Sequence, residues 1–365
     1  MFSDNLRESI SRNRRTDLFQ YYLLVKDRIL AMIDEMETYN DAMPSSYWQE
    51  ELAGFDYIFD ASPLIIAKLR EHCHHITGIK SYEYRDHHSH RKAQFAHKLN
   101  LLRAEDKRGR FVPESPLLGG FGYRINGALV NIDTLKFYES LIALDKARLL
   151  DQFSLKDNVR HSVLEIGAGW GGFAYQFHTL FPDVTYVIVD LPHVLLFSLL
   201  YLKALFPDAS TFVYGDKPIE YVFANAYSYD FVFLPYYIFQ QLELSNVDLA
   251  INIASFQEMT TGQVDTYVNK LIQLGCPYIY SMNRNRSRHN TDLTSVPAIL
   301  GKYYDCKKIK VLDSMYVDFP DHDRSNGVTA SLKDMIKRWK RRNKLRKKAL
   351  YQYRHIIGAL KYAID

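Results

Sequence analysis

The chain has 365 residues, of which 47% are hydrophobic and 24% charged, and this composition is typical of a soluble globular protein. The length exceeds one average domain and fits two domains or one enlarged α/β domain. The three cysteines are odd in number and far apart, which excludes a disulfide framework or a zinc spacing and favours a reducing compartment. The most apolar stretch, 191–206, is short and contains Lys203, so it cannot span a bilayer. We therefore expect a cytoplasmic protein.

Residues 1–150 read as a helical region, which we assign to the acceptor or lid side of the molecule. Apolar residues recur at helical spacing in 18–30 and again in 59–69. Six histidines follow between Glu71 and Lys92. Of these, His88 and His90 are our candidates for a base carried on a lid, although most surface histidines are simply solvated.

A segment rich in glycine and proline, 113–127, predicts a shaped loop or hairpin. Tyr123 and Arg124 in this segment are candidates to meet a hydroxyl or a phosphate of an acceptor, on residue type and loop position alone. A helix is then expected to begin at a cap, Asp133 or Thr134, and to run to about Asp151.

Residues 151–325 alternate between predicted strands and helices. Strands are predicted at 162–166, 185–190, 229–234, 247–254, 278–281 and 308–312, with helices at 171–180 and 194–206. Strands that are apolar almost throughout and alternate with helices are typical of a parallel sheet covered on both faces. The sequence therefore predicts an α/β fold with a doubly wound, mostly parallel, Rossmann-like sheet.

A glycine-rich turn joins the first of these strands to its helix. Residues 165–172 read EIGAGWGG, so Gly167, Gly169 and Gly172 satisfy G-x-G-x-x-G, which taken alone is a weak signal. Such a turn brings backbone N–H groups and a helix N-terminus close to a ligand, together with the intervening Ala168 and Trp170. The acid that would hold the ribose hydroxyls is Asp190, at the end of the second strand.

Two cofactors compete for this loop, a nicotinamide dinucleotide and S-adenosylmethionine. Glu165 lies two residues before the first glycine, and the resulting E-x-G-x-G-x-G resembles motif I of class I methyltransferases. Residues 190–194 read DLPHV, which looks like the ribose-binding segment of small-molecule O-methyltransferases and places Leu191 and His193 beside the cofactor. A long helical region also precedes the loop, whereas a dinucleotide domain commonly starts its chain. These features favour S-adenosylmethionine.

A narrower resemblance appears in the flanking segments. Residues 119–123 (GGFGY) and 127–138 (GALVNIDTLKFY) resemble the segment before motif I in a sugar O-methyltransferase family, and residues 247–259 (VDLAINIASFQEM) look like its motif after the fourth strand. The resemblance covers about residues 75–285. It implies methylation of a sugar hydroxyl, on a glycan or an activated-sugar precursor, and polysaccharide biosynthesis as a setting.

Methyl transfer to oxygen requires alignment of the reactants and removal of a proton. The predicted fourth strand ends near Ala254 and projects Ser255, Gln257 and Glu258 toward the acceptor. Glu258 is the first candidate for the base, or for a ligand of a divalent cation such as Mg²⁺, which we keep as an additional cofactor. The alternative is that Ser255 and Glu258 form a helix capping box.

Two basic segments lie in the C-terminal part of the sequence. Residues 283–288 read NRNRSR, and Arg284 with its two arginine neighbours either clamps a phosphate or belongs to a solvated loop. Residues 326–365 are expected to form a basic helical tail: from 331 onward they hold twelve lysines and arginines against two aspartates, so the rest of a chain of net charge +4 is acidic. A predicted apolar stripe runs through Ile336, Trp339, Leu345, Leu350, Tyr353 and Ile357.

The tail predicts either packing on the body or contact with an acidic partner, RNA or the inner face of a membrane. Nucleic acid is disfavoured as a substrate, since no Asn/Asp-Pro-Pro-aromatic motif follows the fourth strand.

Other functions left open are methylation of a phenolic or other small hydroxyl compound, an NAD(P)-dependent oxidoreductase, and a non-catalytic cofactor-binding subunit. A charged cleft lined by Tyr and Arg would favour a sugar, and an apolar slot would favour a phenol. The sequence does not specify an oligomeric state.

Overall fold

The computed structural model describes residues 2–39, 44–85, 89–154, 159–244, 246–284, 295–313, 315–317 and 352–361. A short hairpin pairs β1 (Tyr123–Ile125) with β2 (Ala128–Val130). The main sheet of the described residues consists of β3 (Ser162–Ile166), β4 (Thr185–Asp190), β5 (Thr211–Val213), β6 (Phe231–Pro235), β7 (Leu249–Ile253), β8 (Tyr278–Arg284), β9 (Tyr304–Ile309) and β10 (Tyr353–Leu360).

The strand order across the main sheet is β5-β6-β4-β3-β7-β8-β10-β9. All pairs from β5 to β8 are parallel, and β10 pairs antiparallel with both β8 and β9. The chain builds outward from β3 in one direction through β4 and in the other through β7. Strand order therefore reverses at β3, and in open α/β sheets ligands bind at such a reversal, beyond the carboxyl ends of the strands.

Helices cover the sheet and form the N-terminal region. They are α1 (Phe2–Arg14), α2 (Asp17–Met36), α3 (Ser46–Leu52), α4 (Pro63–Ile66), α5 (Leu69–His72), α6 (His74–Thr77), α7 (Ser89–Glu105), α8 (Ile132–Lys146), α9 (Gly172–Leu180), α10 (Pro192–Leu205), α11 (Ile219–Asn225), α12 (Thr261–Gln273) and α13 (Val296–Tyr303). Among them, no helix has the length and the apolar character needed to cross a membrane.

The predicted fold class is confirmed, because β3, β4, β6 and β7 are buried along their whole length and helices lie on the sheet. The helical N-terminal region shares its core with the sheet. Helix α2 buries a stripe at helical spacing, including Phe19, Tyr22 and Ile29, and packs against α10. These side chains belong to the same apolar cluster as Tyr186 in β4.

Helix α8 begins two residues earlier than predicted. Asn131 is the N-cap: its side chain accepts from the Thr134 backbone N–H at 2.9 Å, and the Thr134 hydroxyl accepts from the Asn131 N–H at 3.3 Å. Asp133 does not cap the helix. It is buried and accepts from the guanidinium of Arg70 at 2.9 Å. The helix ends at Lys146, five residues before the predicted end.

The C-terminal segment differs from the prediction. Residues 353–360, placed in the helical tail with Tyr353 and Ile357 on its stripe, form β10 in the interior of the sheet, so the helical assignment is wrong there. Gly358 permits this, since a Cβ at that position would lie 2.8 Å from Ile279 on the neighbouring strand. His355 is buried against α8, with Nε2 3.1 Å from a carboxylate oxygen of Glu139. The basic residues 333–348 lie outside the described residues.

Two smaller differences concern other strands. The last predicted strand, 308–312, is found at Tyr304–Ile309. Strand β5 was not predicted, because its three residues are too few to show a periodic pattern. The segment rich in glycine and proline forms the β1–β2 hairpin, one of the two forms expected for it.

Candidate active site

A cavity of about 750 Å³ opens at the point where the strand order reverses. Its floor is formed by the carboxyl ends of β3, β4 and β7, and its volume lies in the range of roughly 300–1,000 Å³ usual for small-molecule sites. The glycine loop and residues from the helical region form its walls. The residues used below that line it are Trp48, Asp133, Lys136, Phe137, Glu165, Gly167, Ala168, Gly169, Trp170, Asp190, Leu191, Tyr236, Phe239, Gln240, Gln241, Ser255, Glu258, Gln263, Tyr267, Arg284, Tyr316 and Tyr353.

The glycine loop has a backbone that only glycine adopts without strain. Gly167, Gly169 and Gly171 have φ values of 73°, 60° and 83°. A Cβ on Gly167 would lie 2.1 Å from the Ser255 hydroxyl, so the loop and the end of β7 are in close contact. The loop therefore exposes backbone rather than side chains to the cavity, as a cofactor cradle requires.

Asp190 is held by the same loop. Its carboxylate accepts from the backbone N–H of Gly169 at 2.8 Å and from that of Leu191 at 2.8 Å. Burial raises the pKa of Asp190 to about 7, and these backbone donors oppose the rise. A carboxylate has about four acceptor positions, so these backbone donors do not use up its capacity to accept from a ligand hydroxyl.

Glu165 is a second carboxyl at the loop. It is buried, and the Tyr186 hydroxyl donates to it at 2.9 Å. Burial raises the pKa of Glu165 to about 8. A buried carboxyl with one protein donor beside a cavity favours a cationic ligand group there, because such a group would compensate its charge.

Glu258, which follows β7, lines the cavity together with Glu165, Asp190 and the Arg70-bound Asp133. Ala254, between β7 and Glu258, has a φ of 62°, an uncommon conformation for a residue with a side chain, and it turns the chain toward the cavity. The Trp48 indole N–H donates to Glu258 at 3.2 Å. Burial raises the pKa of Glu258 to about 8, whereas the charges of Lys136 and Arg284 lower it. A carboxyl whose pKa lies near neutrality is suited to general-base chemistry.

The capping-box alternative for Ser255 and Glu258 is wrong. Ser255 makes no side-chain cap, and residues 256–258 form a short 3-10 turn. The following helix, α12, has its own capping box in which Thr260 and Gln263 exchange hydrogen bonds. The Glu258 carboxyl is thus not needed for a helix start.

Gln257 and Arg284 form one contact group. The Gln257 side chain accepts from the Arg284 backbone N–H at 3.0 Å and donates to the Tyr353 hydroxyl at 3.3 Å. Gln257 is itself buried and does not line the cavity, so it positions Arg284 rather than meeting an acceptor. The guanidinium of Arg284 lies 4.6 Å from the Tyr353 ring centroid and lines the cavity.

Six of the predicted site residues within the described part of the chain, Gln257 among them, do not line the cavity. Tyr123 is buried in the hairpin and donates to the Glu83 carbonyl, whereas Arg124 is exposed and donates to the Gly127 carbonyl. His90 is exposed near the start of α7 and does not line the cavity.

His193 and Gly172 lie behind the cavity wall. The His193 ring packs edge-on against Phe59 at 5.6 Å, and burial lowers its pKa to about 4. Gly172 starts α9 where a Cβ would meet the Trp170 ring at 2.3 Å, so it serves the tight turn. His88 lies outside the described residues, as do the arginines at 286 and 288.

Several cavity residues were missed. Lys136 belongs to the segment 127–138 that carried the family resemblance, so a signal for it existed. Trp48 and Tyr316 come from distant parts of the chain, and no sequence pattern pointed to either of them.

A buried polar group links the helical region to the site. Arg70 donates to Glu114 at 2.7 Å and to Asp133 at 2.9 Å. Its guanidinium stacks 3.7 Å from the Trp170 ring centroid.

Within the described part of the chain, no group of three or more His, Cys, Asp or Glu side chains is placed to hold a metal ion. Glu258 is therefore not part of such a group, and its pKa is lowered by the Trp48 hydrogen bond and then by the charges of Lys136 and Arg284. The divalent cation stays a prediction.

No protein-family model matches the sequence, and no curated protein matches it. Among solved structures, the pyocyanin biosynthetic protein PhzM is 13% identical over 60% of this chain and 57% of its own, with a TM-score of 0.32. The match thus spans less than two thirds of PhzM.

Two further structures show similar values. Magnesium protoporphyrin IX methyltransferase from Synechocystis PCC 6803, with bound SAH, is 9% identical over 64% of this chain and 88% of its own, with a TM-score of 0.35. Human N-acetylserotonin methyltransferase, in complex with SAM, is 10% identical over 74% and 67%, with a TM-score of 0.29. Scores of this size leave the activity to be argued from the site.

Proposed function

We propose that this chain is an S-adenosylmethionine-dependent O-methyltransferase. The observation that carries the proposal is the set of three carboxyls, Glu165, Asp190 and Glu258, around a glycine cradle at the reversal of strand order. A dinucleotide would place an anionic pyrophosphate at this turn, next to the buried Glu165. S-adenosylmethionine instead carries an ammonium and a sulfonium, which suit a cavity lined by carboxyls.

The strand order also supports this choice over a nicotinamide dinucleotide. With the edge strand β5 left aside, strands β6-β4-β3-β7-β8 follow the 3-2-1-4-5 order of the dinucleotide fold, but the sixth position is occupied by the antiparallel β10. The sheet thus departs from that fold beyond β8.

The chain's own residues would hold the cofactor in defined ways. Asp190 is placed for the ribose hydroxyls, the backbone of Gly167 to Gly169 for the methionine part, and Glu165 for its ammonium. When bound, the cofactor supplies a methyl group on a good leaving group. Trp170 and Leu191 complete the walls and exclude water from that part of the cavity.

Glu258 is the base in this proposal. A sugar hydroxyl is weakly acidic, so its proton must pass to a nearby acceptor as the new bond forms. The Trp48 indole holds one Glu258 oxygen at 3.2 Å and leaves the carboxyl oriented at the cavity wall. The presence of a positioned base beside the cofactor cradle favours an enzyme over a non-catalytic cofactor-binding subunit.

For the acceptor we propose a sugar hydroxyl rather than a phenol. The cavity is lined by Lys136, Arg284 and Gln263 together with tyrosines at 236, 267, 316 and 353. Tyrosines and long polar side chains suit the alternating apolar and hydroxyl faces of a sugar. The aromatic part of the wall, Trp48, Phe137 and Phe239, is the observation on which a phenolic acceptor would have to rest.

The proposal is tested first by calorimetric titration with S-adenosylhomocysteine, NADH and NADPH. Binding of S-adenosylhomocysteine alone is expected. Binding of a nicotinamide cofactor alone would reject the proposal. Methyl transfer from labelled S-adenosylmethionine is then measured with sugar and phenol panels, and turnover of phenols without sugars would reject the assigned acceptor class.

A further inference from the structure

Arg284 is a cavity side chain that takes no part in the proposed proton removal or cofactor binding. It ends β8 and lines the cavity, and its Nε is buried without a hydrogen-bond partner among the described residues. Withdrawing a guanidinium N–H from water without a partner is unfavourable. A ligand group that accepts from it would remove this penalty.

The side chain is also held in place before any ligand arrives. Gln257 fixes its backbone N–H at 3.0 Å and bonds to the Tyr353 hydroxyl at 3.3 Å, and the Tyr353 ring stacks on the guanidinium at 4.6 Å. Arg284, at the end of β8, is thus held by Gln257 and by Tyr353 of β10. A planar donor that is already oriented loses little conformational entropy on binding a planar or tetrahedral anion.

A second cation lines the same cavity. Lys136 on α8 lines it, with Nζ 2.8 Å from Asp133. The charges of Lys136 and Arg284 both lower the pKa of Glu258, so both lie within electrostatic range of the candidate base. Strand β7 separates β8 from β3, which places Arg284 about 10 Å across the sheet from the strand of Glu165.

We infer that the acceptor carries an anionic group, a carboxylate or a phosphate, which binds to Arg284 with Lys136 at its flank. The inference rests on the proposed function and narrows its substrate class from sugars in general to acidic or phosphorylated sugars. A guanidinium meets either anion through two parallel N–H donors. The anion at Arg284 and the hydroxyl at Glu258 then belong to one ligand. The position of Arg284 therefore determines which hydroxyl of that ligand reaches Glu258.

The test is calorimetry on the full chain saturated with S-adenosylhomocysteine, titrated with glucuronate, glucose 1-phosphate and glucose. We expect one of the two anions to bind at least about tenfold more tightly than neutral glucose, the usual effect of a charged hydrogen bond. Glucuronate alone would identify a carboxylate, and glucose 1-phosphate alone a phosphate. Equal binding of all three sugars, or binding of neither anion, would overturn the inference.

Variants separate a binding role from a folding role. Arg284→Gln should lose the preference for the anion and retain wild-type affinity for S-adenosylhomocysteine, and Arg284→Lys should keep part of the preference. Arg124→Gln is the matched control, since Arg124 is exposed on the hairpin away from the cavity. Retention of the full preference by Arg284→Gln contradicts the inference alone, whereas wild-type protein that fails to bind S-adenosylhomocysteine contradicts the proposed function as well.

Discussion

Replacement of Glu258 by glutamine removes the proposed base with little change in shape. The amide oxygen of glutamine still accepts from the Trp48 indole, which donates to Glu258 at 3.2 Å. General-base catalysis contributes about 10²–10⁴-fold, so we expect kcat to fall by that factor. Affinity for S-adenosylhomocysteine should stay near the wild-type value, because the cradle residues are untouched.

The pH dependence of the wild-type protein should show how strongly the rate depends on ionisation of Glu258. Burial raises the pKa of Glu258 from 4.5 to about 8, and only the ionised form accepts a proton. About a tenth of the group is ionised at pH 7 and about nine tenths at pH 9, so kcat/KM for the acceptor should rise by up to about tenfold over this interval. A bound sulfonium lowers the pKa, which shifts the rise to lower pH and leaves its direction unchanged.

The assay is methyl transfer from labelled S-adenosylmethionine at saturating cofactor, between about pH 6 and 9. Stability supplies an independent readout. Because the folded state disfavours the ionised form, the free energy of unfolding of the wild type should fall as the pH rises from 4.5 towards 8, and the glutamine variant should lack the contribution of Glu258 to this decline. Full turnover in Glu258→Gln, or a rate profile identical to that of the wild type, would refute the assignment.

Four further expectations follow from the site and its supports. Asp190→Ala should weaken S-adenosylhomocysteine binding by about 1–3 kcal/mol in calorimetry, whereas the exposed Asp208→Ala should not; equal affinities would reject the ribose role. Gly78→Ala and Gly167→Ala both place a side chain at positive φ (70° and 73°), but a Cβ meets open space at Gly78 and a neighbouring side chain at Gly167. Denaturant unfolding should therefore show the larger loss for Gly167→Ala, with loss of cofactor binding, and equal losses would contradict the contact. Arg70→Met leaves the buried Glu114 without its cationic partner and Asp133 with Lys136 alone, and it should lower the free energy of unfolding by about 3–5 kcal/mol; an unchanged denaturant midpoint would show that the network does not stabilise the fold. Turnover measured with EDTA tests the predicted cation: a loss of activity that Mg²⁺ restores would establish it, whereas full turnover would reject it and leave Lys136 and Arg284 as the charges that lower the pKa of the base.

Local features of the sequence grouped the glycine loop with Asp190. Residues 165–172 and 185–190 lie within one strand-turn-helix-strand unit, and Glu165, Gly167, Gly169 and Asp190 line one cavity. This grouping could be made from the sequence because neighbours in sequence are neighbours in space within such a unit. Glu258 was chosen because it follows the end of a buried strand, where ligands bind in open α/β sheets. The role of these residues in binding a cofactor stays a prediction.

The acceptor side was predicted poorly because its walls come from distant parts of the chain. Tyr123 and Arg124 were chosen for their residue type and their position in the loop. In the structure the Tyr123 hydroxyl donates to the Glu83 carbonyl, and the Arg124 side chain is exposed. Trp48 is 210 residues from the Glu258 that it contacts. No spacing rule in the sequence connects such pairs.

The structure of the C-terminal strand also depends on contacts between segments that are distant in sequence. Residues 353–360 follow a strongly basic helix-compatible run, and an apolar stripe could be continued through Tyr353 and Ile357 at helical spacing. In the structure the neighbouring strands β8 and β9 form hydrogen bonds with the backbone of this segment, so it forms a strand. Tyr353 then lines the cavity. The sequence alone determined the parallel sheet and the glycine cradle, since both depend on short-range patterns of burial and backbone conformation. Only the tertiary structure decided the acceptor wall, because hydrogen bonds and packing between distant segments outweigh local helical preference.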